Sequence, residues 1–264
     1  MAAIELPPGY RADLVLRYVG RDSDSLCERV EGNTVYKADL TIKLTKRRAN
    51  VDGDINVARR LLGLTYDITP FERAHPDLVR GHEGARLPQT ATVWESLMWA
   101  IVGQQVNLPF AYRLRRVLVE LCGRAAANGL REHPTAAAVA RLDYADLTSR
   151  QFSRSKAQYV IDTARLIAAG SLPVETFPSL APEDVETALT AVRGIGAWTA
   201  NYVMMRGCAF PDCVPAGDSA LSASLREYFA LDHKVDASET RTLMQRFAPW
   251  RSLATYHFWL RKSV

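Results

Sequence analysis

Hydrophobic positions along the chain follow two rhythms. Between Leu6 and Leu44 they come in short β-rich runs. Leu14-Val15-Leu16 leads into Arg17-Tyr18, Ser25 to Val30 precedes a Glu31-Gly32-Asn33 turn, and Thr34 to Leu44 continues with partly alternating side chains. That spacing predicts strands. The basic run Lys46-Arg47-Arg48 reads as a strand end or turn. Asp54 predicts the N-cap of a helix through Ile55, Ala58, Leu61 and Leu62, closed by Gly63. From Thr69 the spacing turns helical, with starts at Pro70 and at His75-Pro76 and breaks at Gly81 and Gly84. Val93 to Val102 is apolar nearly all round, the mark of a helix central to its domain. It ends in Gly103-Gln104-Gln105-Val106-Asn107. Ala111 to Cys122 is amphipathic and basic, Phe152 to Lys156 opens a helix running to Ala169, and a last helix holds Tyr256, His257 and Trp259.

The stretch Leu189 to Leu221 organises the helical part. Pro178 to Val192 supplies a helix before Gly194-Ile195-Gly196, and Ala197, Ala200, Tyr202 and Met204 continue at helical spacing after it. Two glycines let the chain reverse sharply and another backbone approach closely. The second helix then opens with free N–H groups and the positive end of its dipole, a site suited to one phosphate of a nucleic acid. An ordinary helix–helix turn uses the same pattern. The Ala197–Arg206 run ends at Gly207, and Asp218 precedes a new helix that it can cap. Trp198 and Tyr202, four apart, share a helix face, as core pairs also do. Lys156, with Ser153 or Ser155 near a helix start, offers a second phosphate contact or an ordinary solvated lysine.

This order of elements resembles the helix-hairpin-helix DNA glycosylases, and GIGAWTANYVMMRG with Asp218 downstream resembles the 3-methyladenine DNA glycosylase II (AlkA) type. The resemblance is strongest over 93–107 and 189–221, and Pro249-Trp250-Arg251-Ser252 supports it. It implies an α+β fold: a small N-terminal antiparallel-sheet domain over 1–65, and a mainly α-helical glycosylase region over 66–264 with its hairpin at 193–196. It implies Asp218 as the catalytic carboxylate and Trp198, Tyr202 and Trp259 as the base pocket. Arg193, Gly194, Ile195, Gly196 and Thr199, with Gln104, Gln105 and Lys156, become the DNA-binding set. Gln105 stands where the family inserts a residue into the gap left by the extruded nucleotide. AlkA-type enzymes often use leucine there, and an amide can in addition hydrogen-bond the orphaned base. Arg193 replaces the proline many hairpins carry before the first glycine. Bifunctional relatives place a Schiff-base lysine two residues after the second glycine. Here that residue is Trp198, which cannot form an imine.

The implied reaction is hydrolysis of an N-glycosidic bond through an oxocarbenium-like sugar, which one carboxylate can stabilise when the leaving base is already cationic. Alkylated purines such as 3-methyladenine and 7-methylguanine are such bases, and they stack well on aromatic rings. Deaminated bases such as uracil or hypoxanthine are the rival substrates, and a non-catalytic DNA-binding module is the rival class.

Composition changes this picture little. The chain has 264 residues, 48% hydrophobic and 23% charged, with a formal charge of +4. That mild excess suits a polyanionic partner without requiring one. The expected partner is double-stranded DNA carrying damaged bases, met as a monomer. No apolar run reaches the ~18 residues of a membrane span, and Met1 to Gly9 lacks the form of a signal peptide. An intracellular, nucleoid-associated protein is expected, nuclear in a eukaryote. Cys27, Cys122, Cys208 and Cys213 are scattered, and none follows Cys213, which excludes the iron–sulfur branch of the superfamily. No metal ligands and no cofactor are expected. A cation held by hairpin backbone carbonyls would leave no side-chain signature, and that alternative stays open.

Overall fold

The computed structural model describes residues 2–262. Strands β1 (Ala2–Glu5), β2 (Glu28–Glu31), β3 (Thr34–Lys37), β4 (Leu40–Leu44) and β5 (Arg48–Asp52) form one antiparallel sheet in the order β1-β5-β4-β3-β2. The register sets Ile4 opposite Ala49, Val35 opposite Ile42 and Ile42 opposite Val51. Because side chains alternate along a strand, these buried residues line one face. Val15 and Val19 of helix α1 (Ala12–Val19) cover that face, with Ala58 and Leu61 of α2 (Ile55–Leu61). Asp54 caps α2 by accepting from the Asn56 and Val57 amides, at 2.7 and 3.2 Å.

Two expectations need correction here. Leu14-Val15-Leu16 is helical, since Leu14, Val15 and Val19 recur on one helical face and a three-residue apolar run fits either period. The run from Thr34 to Leu44 is two strands, folded at Ala38, whose φ of 45° shows a tight turn without glycine. Lys46-Arg47 forms the turn between β4 and β5, one of the two readings of that basic run, and Arg48 opens β5.

The remainder is helical: α3 (Thr69–Ala74), α4 (Pro76–Val79), α5 (Val93–Gly103), α6 (Leu108–Cys122), α7 (Ala136–Val139), α8 (Tyr144–Thr148) and α9 (Arg154–Ala168), then α10 (Pro182–Thr190), α11 (Ala197–Arg206), α12 (Ser219–Tyr228), α13 (Ala237–Met244) and α14 (Arg251–Lys262). The first hairpin helix starts at Pro182 rather than Pro178, because Val174–Ser179 winds as a 3-10 turn that contains Pro178. Helix α5 runs through the centre, packed by α6, α9 and α11. Both its ends are held by charge. Glu175 accepts from the Val93 and Trp94 amides at 3.0 and 2.9 Å. At the other end Lys156 donates to the Ile101 and Val102 carbonyls, both at 2.9 Å. Each charge complements the dipole and satisfies groups that the helix leaves unpaired.

A buried ion network joins sheet and helices. Arg115 of α6 grips the Glu28 carboxylate at 2.6 and 2.8 Å, and Lys37 of β3 reaches Glu28 at 3.2 Å and Glu95 of α5 at 2.7 Å. Burial alone would raise the Glu28 carboxyl, but the Arg115 and Lys37 charges outweigh it and hold the group well below the usual carboxylate range.

Candidate active site

The hairpin follows from its glycines. Gly194 has φ +88°, and a Cβ there would lie 2.4 Å from the ring of Tyr159 on α9, so conformation and space both require glycine. Gly196 is the N-cap residue of α11 and has open space where a Cβ would stand. No side chain caps the first amides of α11, and a helix start of that kind suits an anion. Arg193 is exposed beside it. Ile195 is only 4% exposed and roots the hairpin in the core, so its contribution to any ligand is through its backbone.

Three of the expected DNA-binding side chains turn inward instead. Gln104 donates from Nε2 to the Gly194 carbonyl at 2.9 Å and to Thr199 Oγ1 at 3.0 Å. Thr199 itself is 2% exposed. Lys156 gives its ammonium to the carbonyls of Ile101, Val102 and Gln104, each at 2.9 Å, which accounts for all three hydrogens. Burial lowers its pKa to about 8. Here the Lys156 ammonium acts as an internal clamp, because the end of α5 supplies the carbonyls it needs. Ser153 caps α9 through the Lys156 amide. Gln105 differs from its neighbour. It is exposed, with φ +55°, a left-handed conformation uncommon for a side-chain-bearing residue.

Asp218 sits at the start of α12, where its Oδ1 accepts from the Leu221 amide at 2.8 Å. The same oxygen accepts from Trp259 Nε1 at 3.0 Å, and Oδ2 accepts from Trp198 Nε1 at 3.3 Å. The two tryptophans expected to stack on a base thus also hold the carboxylate by their indole edges. Trp198 stacks on Tyr202 with ring centroids 5.6 Å apart, and Tyr202 meets Trp259 at 6.2 Å. Burial pushes the Tyr202 phenol up to about 12, against the opposing Arg21 charge and a hydrogen bond from Trp99, so it stays protonated.

The connection delivering Asp218 is fixed from several sides. Asn201 of α11 accepts from the Val214 amide at 3.0 Å, and Ser252 of α14 accepts from the Cys213 amide at 3.0 Å and donates to the Phe210 carbonyl at 2.7 Å. Arg251 pairs with Asp212 at 2.6 Å. Arg251 and Ser252 set the start of α14, which carries Trp259, against the loop before Asp218, and Asn201 ties the same loop to α11.

Sequence reasoning missed a second aromatic wall. Trp99 of α5 stacks on Tyr112 of α6 at 5.4 Å. Over them lies the Arg21 guanidinium, 4.0 Å from the Tyr18 ring centre, 5.3 Å from Trp99 and 5.8 Å from Tyr112. Arg21 comes from the loop after α1 and carries the N-terminal region to the pocket. Only the half-apolar character of Trp99 hinted at this, and nothing local marks Arg21. Among the described residues, no group of three or more His, Cys, Asp or Glu side chains is placed to hold a metal ion. Of the hairpin carbonyls, that of Gly194 is already taken by Gln104.

The profile of the family described as HhH-GPD superfamily base excision DNA repair protein matches residues 98–249. The putative DNA-3-methyladenine glycosylase YfjP of Bacillus subtilis is 36% identical over 178 residues, 67% of this chain and 62% of that protein, so the match spans less than two thirds of that relative's length. The DNA-3-methyladenine glycosylase of Bacillus subtilis is 35% identical over 205 residues, 74% of this chain and 68% of that protein. In fold, the chain matches the 3-methyladenine DNA-glycosylase from Archaeoglobus fulgidus with a TM-score of 0.86, at 22% identity, covering 100% of this chain and 98% of the other. The hairpin, the carboxylate behind it and the aromatic wall all lie within the matched residues except Trp259, and the chain belongs to the HhH-GPD superfamily of base excision DNA repair proteins.

Proposed function

We propose that this chain is a monofunctional DNA glycosylase that extrudes alkylated bases from double-stranded DNA and hydrolyses the N-glycosidic bond, leaving an abasic site. The observation that carries the reading is Asp218, a carboxylate held by three N–H donors, two of them the indole N–H groups of Trp198 and Trp259. The backbone amides of the hairpin bind one phosphate, Arg193 adds positive charge, and Gln105 enters the stack where the target nucleotide leaves. Trp198, Tyr202 and Trp259 stack on the extruded base, with cation–π attraction of roughly 0.5–2 kcal/mol per good contact to a methylated purine. As the bond breaks, positive charge moves from base to sugar. Asp218 stabilises the growing oxocarbenium ion and orients the water that captures it. The base departs neutral, so no general acid is needed. With tryptophan in the lysine position, the hairpin helix offers no amine for an imine, and the backbone of the abasic product stays intact. The protein acts as a monomer, without a cofactor, inside the cell.

A second reading rests on Arg21. Its guanidinium, over Trp99 and Tyr112, puts a positive charge near Tyr202 that would repel a cationic base, and it donates hydrogen bonds that a carbonyl-bearing base would accept. That favours neutral bases such as hypoxanthine or uracil. Base release from methylated and from deaminated duplex DNA, with wild type beside Asp218→Asn, tests both. Release of 3-methyladenine or 7-methylguanine by wild type alone supports the first reading. Release of hypoxanthine or uracil only replaces it with the second, and silence on both substrates leaves a binding module.

A further inference from the structure

One face of α9 touches both loops that would meet DNA. Lys156 gives its three hydrogens to the end of α5, and the last of them goes to the Gln104 carbonyl. That carbonyl belongs to the peptide that leads into Gln105. One turn further along α9, Tyr159 packs against Gly194 so closely that no side chain fits between them. The Gln104 amide then ties the two loops to each other, bonding the Gly194 carbonyl and Thr199 Oγ1. The result is a closed ring: α9 to the insertion loop, the insertion loop to the hairpin, and the hairpin back to α9.

Gln105 needs such a support. A residue other than glycine held at φ +55° costs of order 1–3 kcal/mol and persists only where its surroundings over-determine it. Here the peptide before Gln105 is fixed at its carbonyl by Lys156, while the Gln105 side chain itself is exposed. A short, rigid connection between the phosphate grip and the inserted residue also has a mechanical use. Displacing a base pair requires the wedge to push against something that does not yield, and a hairpin bound to phosphate gives that reaction point only if the two loops move as one.

We propose that Lys156 and Tyr159 form a common seat for the hairpin and the insertion loop, and that Lys156 is a positioning residue that fixes the reach of Gln105 relative to the gripped phosphate. This rests on the proposed reading of the chain as a glycosylase that extrudes its base. Lys156 touches neither base nor sugar; it acts through Gln105.

The test compares the wild type with K156M, K156R, Q105A and the double variant K156M/Q105A. Single-turnover base release is measured on two substrates, one with the lesion paired in a duplex and one with it in an unpaired bulge. K156M should lower the ratio of paired to unpaired release by about tenfold, the scale at which loosened geometry far from the chemistry is felt. K156R should restore most of that ratio, because a guanidinium keeps donors within reach of the same carbonyls. The double variant should be no worse than Q105A alone, the non-additivity expected of residues acting through one another. Equal losses on both substrates, or additive losses in the double variant, would overturn the proposal and leave Lys156 as a fold-stabilising residue.

A measurement without DNA separates this from the function itself. In the free protein, hydrogen exchange at residues 103–107 and at 193–196 should quicken together in K156M, at temperatures well below its melting midpoint. Loosening of 103–107 alone would show that the ring is not closed and would also overturn the proposal. If the wild type releases no base, the proposed function fails, whereas coupled exchange still decides whether the seat exists.

Discussion

The proposed gripping edge and the proposed base pocket meet at α11, which gives Thr199 to one and Trp198 and Tyr202 to the other, and they use their polar groups in opposite ways. At the edge, Gln104, Thr199, Lys156 and the Gly194 carbonyl are bonded to one another, and what is left for a ligand is backbone amide and the exposed Gln105. Around Asp218, three N–H donors that carry no formal charge hold the carboxylate in place, and Trp198 and Tyr202 lie beside it as a stacked pair. Gripping a phosphate needs geometry, which spent side chains provide by fixing the chain. Breaking a glycosidic bond needs charge, and donors of this kind orient the Asp218 carboxylate without neutralising it.

Replacing Asp218 by Asn breaks the pocket and should leave the edge intact. Asparagine caps a helix about as well as aspartate, so the melting temperature should hardly move. Oδ1 can keep the Leu221 and Trp259 bonds, while the new NH2 faces the Trp198 N–H and loses that contact. Base release should fall by about 10²- to 10³-fold, the cost of removing one preorganised electrostatic group at the reacting centre. Duplex binding, measured by fluorescence anisotropy, should be retained.

The next effect comes from the far side of the pocket. Glu28→Gln removes the carboxylate that Arg115 and Lys37 share, leaving the Arg115 charge buried with Glu95 3.8 Å away. Breaking such a pair costs on the order of 3 kcal/mol, read as a lower urea midpoint. The sign with pH is fixed by the depressed Glu28 value. Its stabilisation is complete above the ordinary carboxyl value of 4.5 and is lost as pH falls through the folded-state value below it. The gap between wild type and Glu28→Gln should therefore be constant at neutral pH and shrink below about pH 4.5. A gap that widens on acidification would contradict the ion network. The edge, anchored on α9, should be untouched.

Gly194→Ala acts on the edge alone. The added methyl meets the Tyr159 ring at 2.4 Å and forces a left-handed φ on alanine, at a cost of about 2 kcal/mol. Duplex affinity should weaken by about tenfold through the displaced hairpin amides, with the single-turnover rate at saturating DNA changed less. An equal loss in both would mean that hairpin and pocket are not separable.

How much of this was legible in the sequence follows the same division. The bounds of α11, the glycine pair and Asp218 as a cap are local signals, and each is where the spacing placed it. The α+β division was legible from the change of period, although Leu14-Val15-Leu16 was too short a run to tell helix from strand. Lys156 was not legible. Its basic side chain near a helix start looks the same whether it meets solvent, phosphate or, as here, carbonyls more than fifty positions away. The same holds for Gln104, whose partners are Gly194 and Thr199. Arg21 was least legible of all, since only the docking of sheet against helices brings it over Trp99 and Tyr112.

Arg21 also gives the most informative change, a shift in preference and not a loss. Where it lies, a guanidinium repels a methylated, cationic base and attracts a carbonyl oxygen, so its removal should act with opposite signs on the two substrate classes. Arg21→Ala should raise release of 3-methyladenine relative to hypoxanthine by about tenfold in total, one modest electrostatic contact. Both rates come from one competition assay on mixed duplexes, which cancels any general loss of activity. Since Arg21 sits on Tyr18 at 4.0 Å, Arg21→Lys keeps the charge but loses planar stacking, and should fall between wild type and alanine. A ratio unmoved by Arg21→Ala would place the base beyond the reach of this guanidinium, confine the pocket to Trp198, Tyr202 and Trp259, and return the preference to the cationic bases that those rings favour.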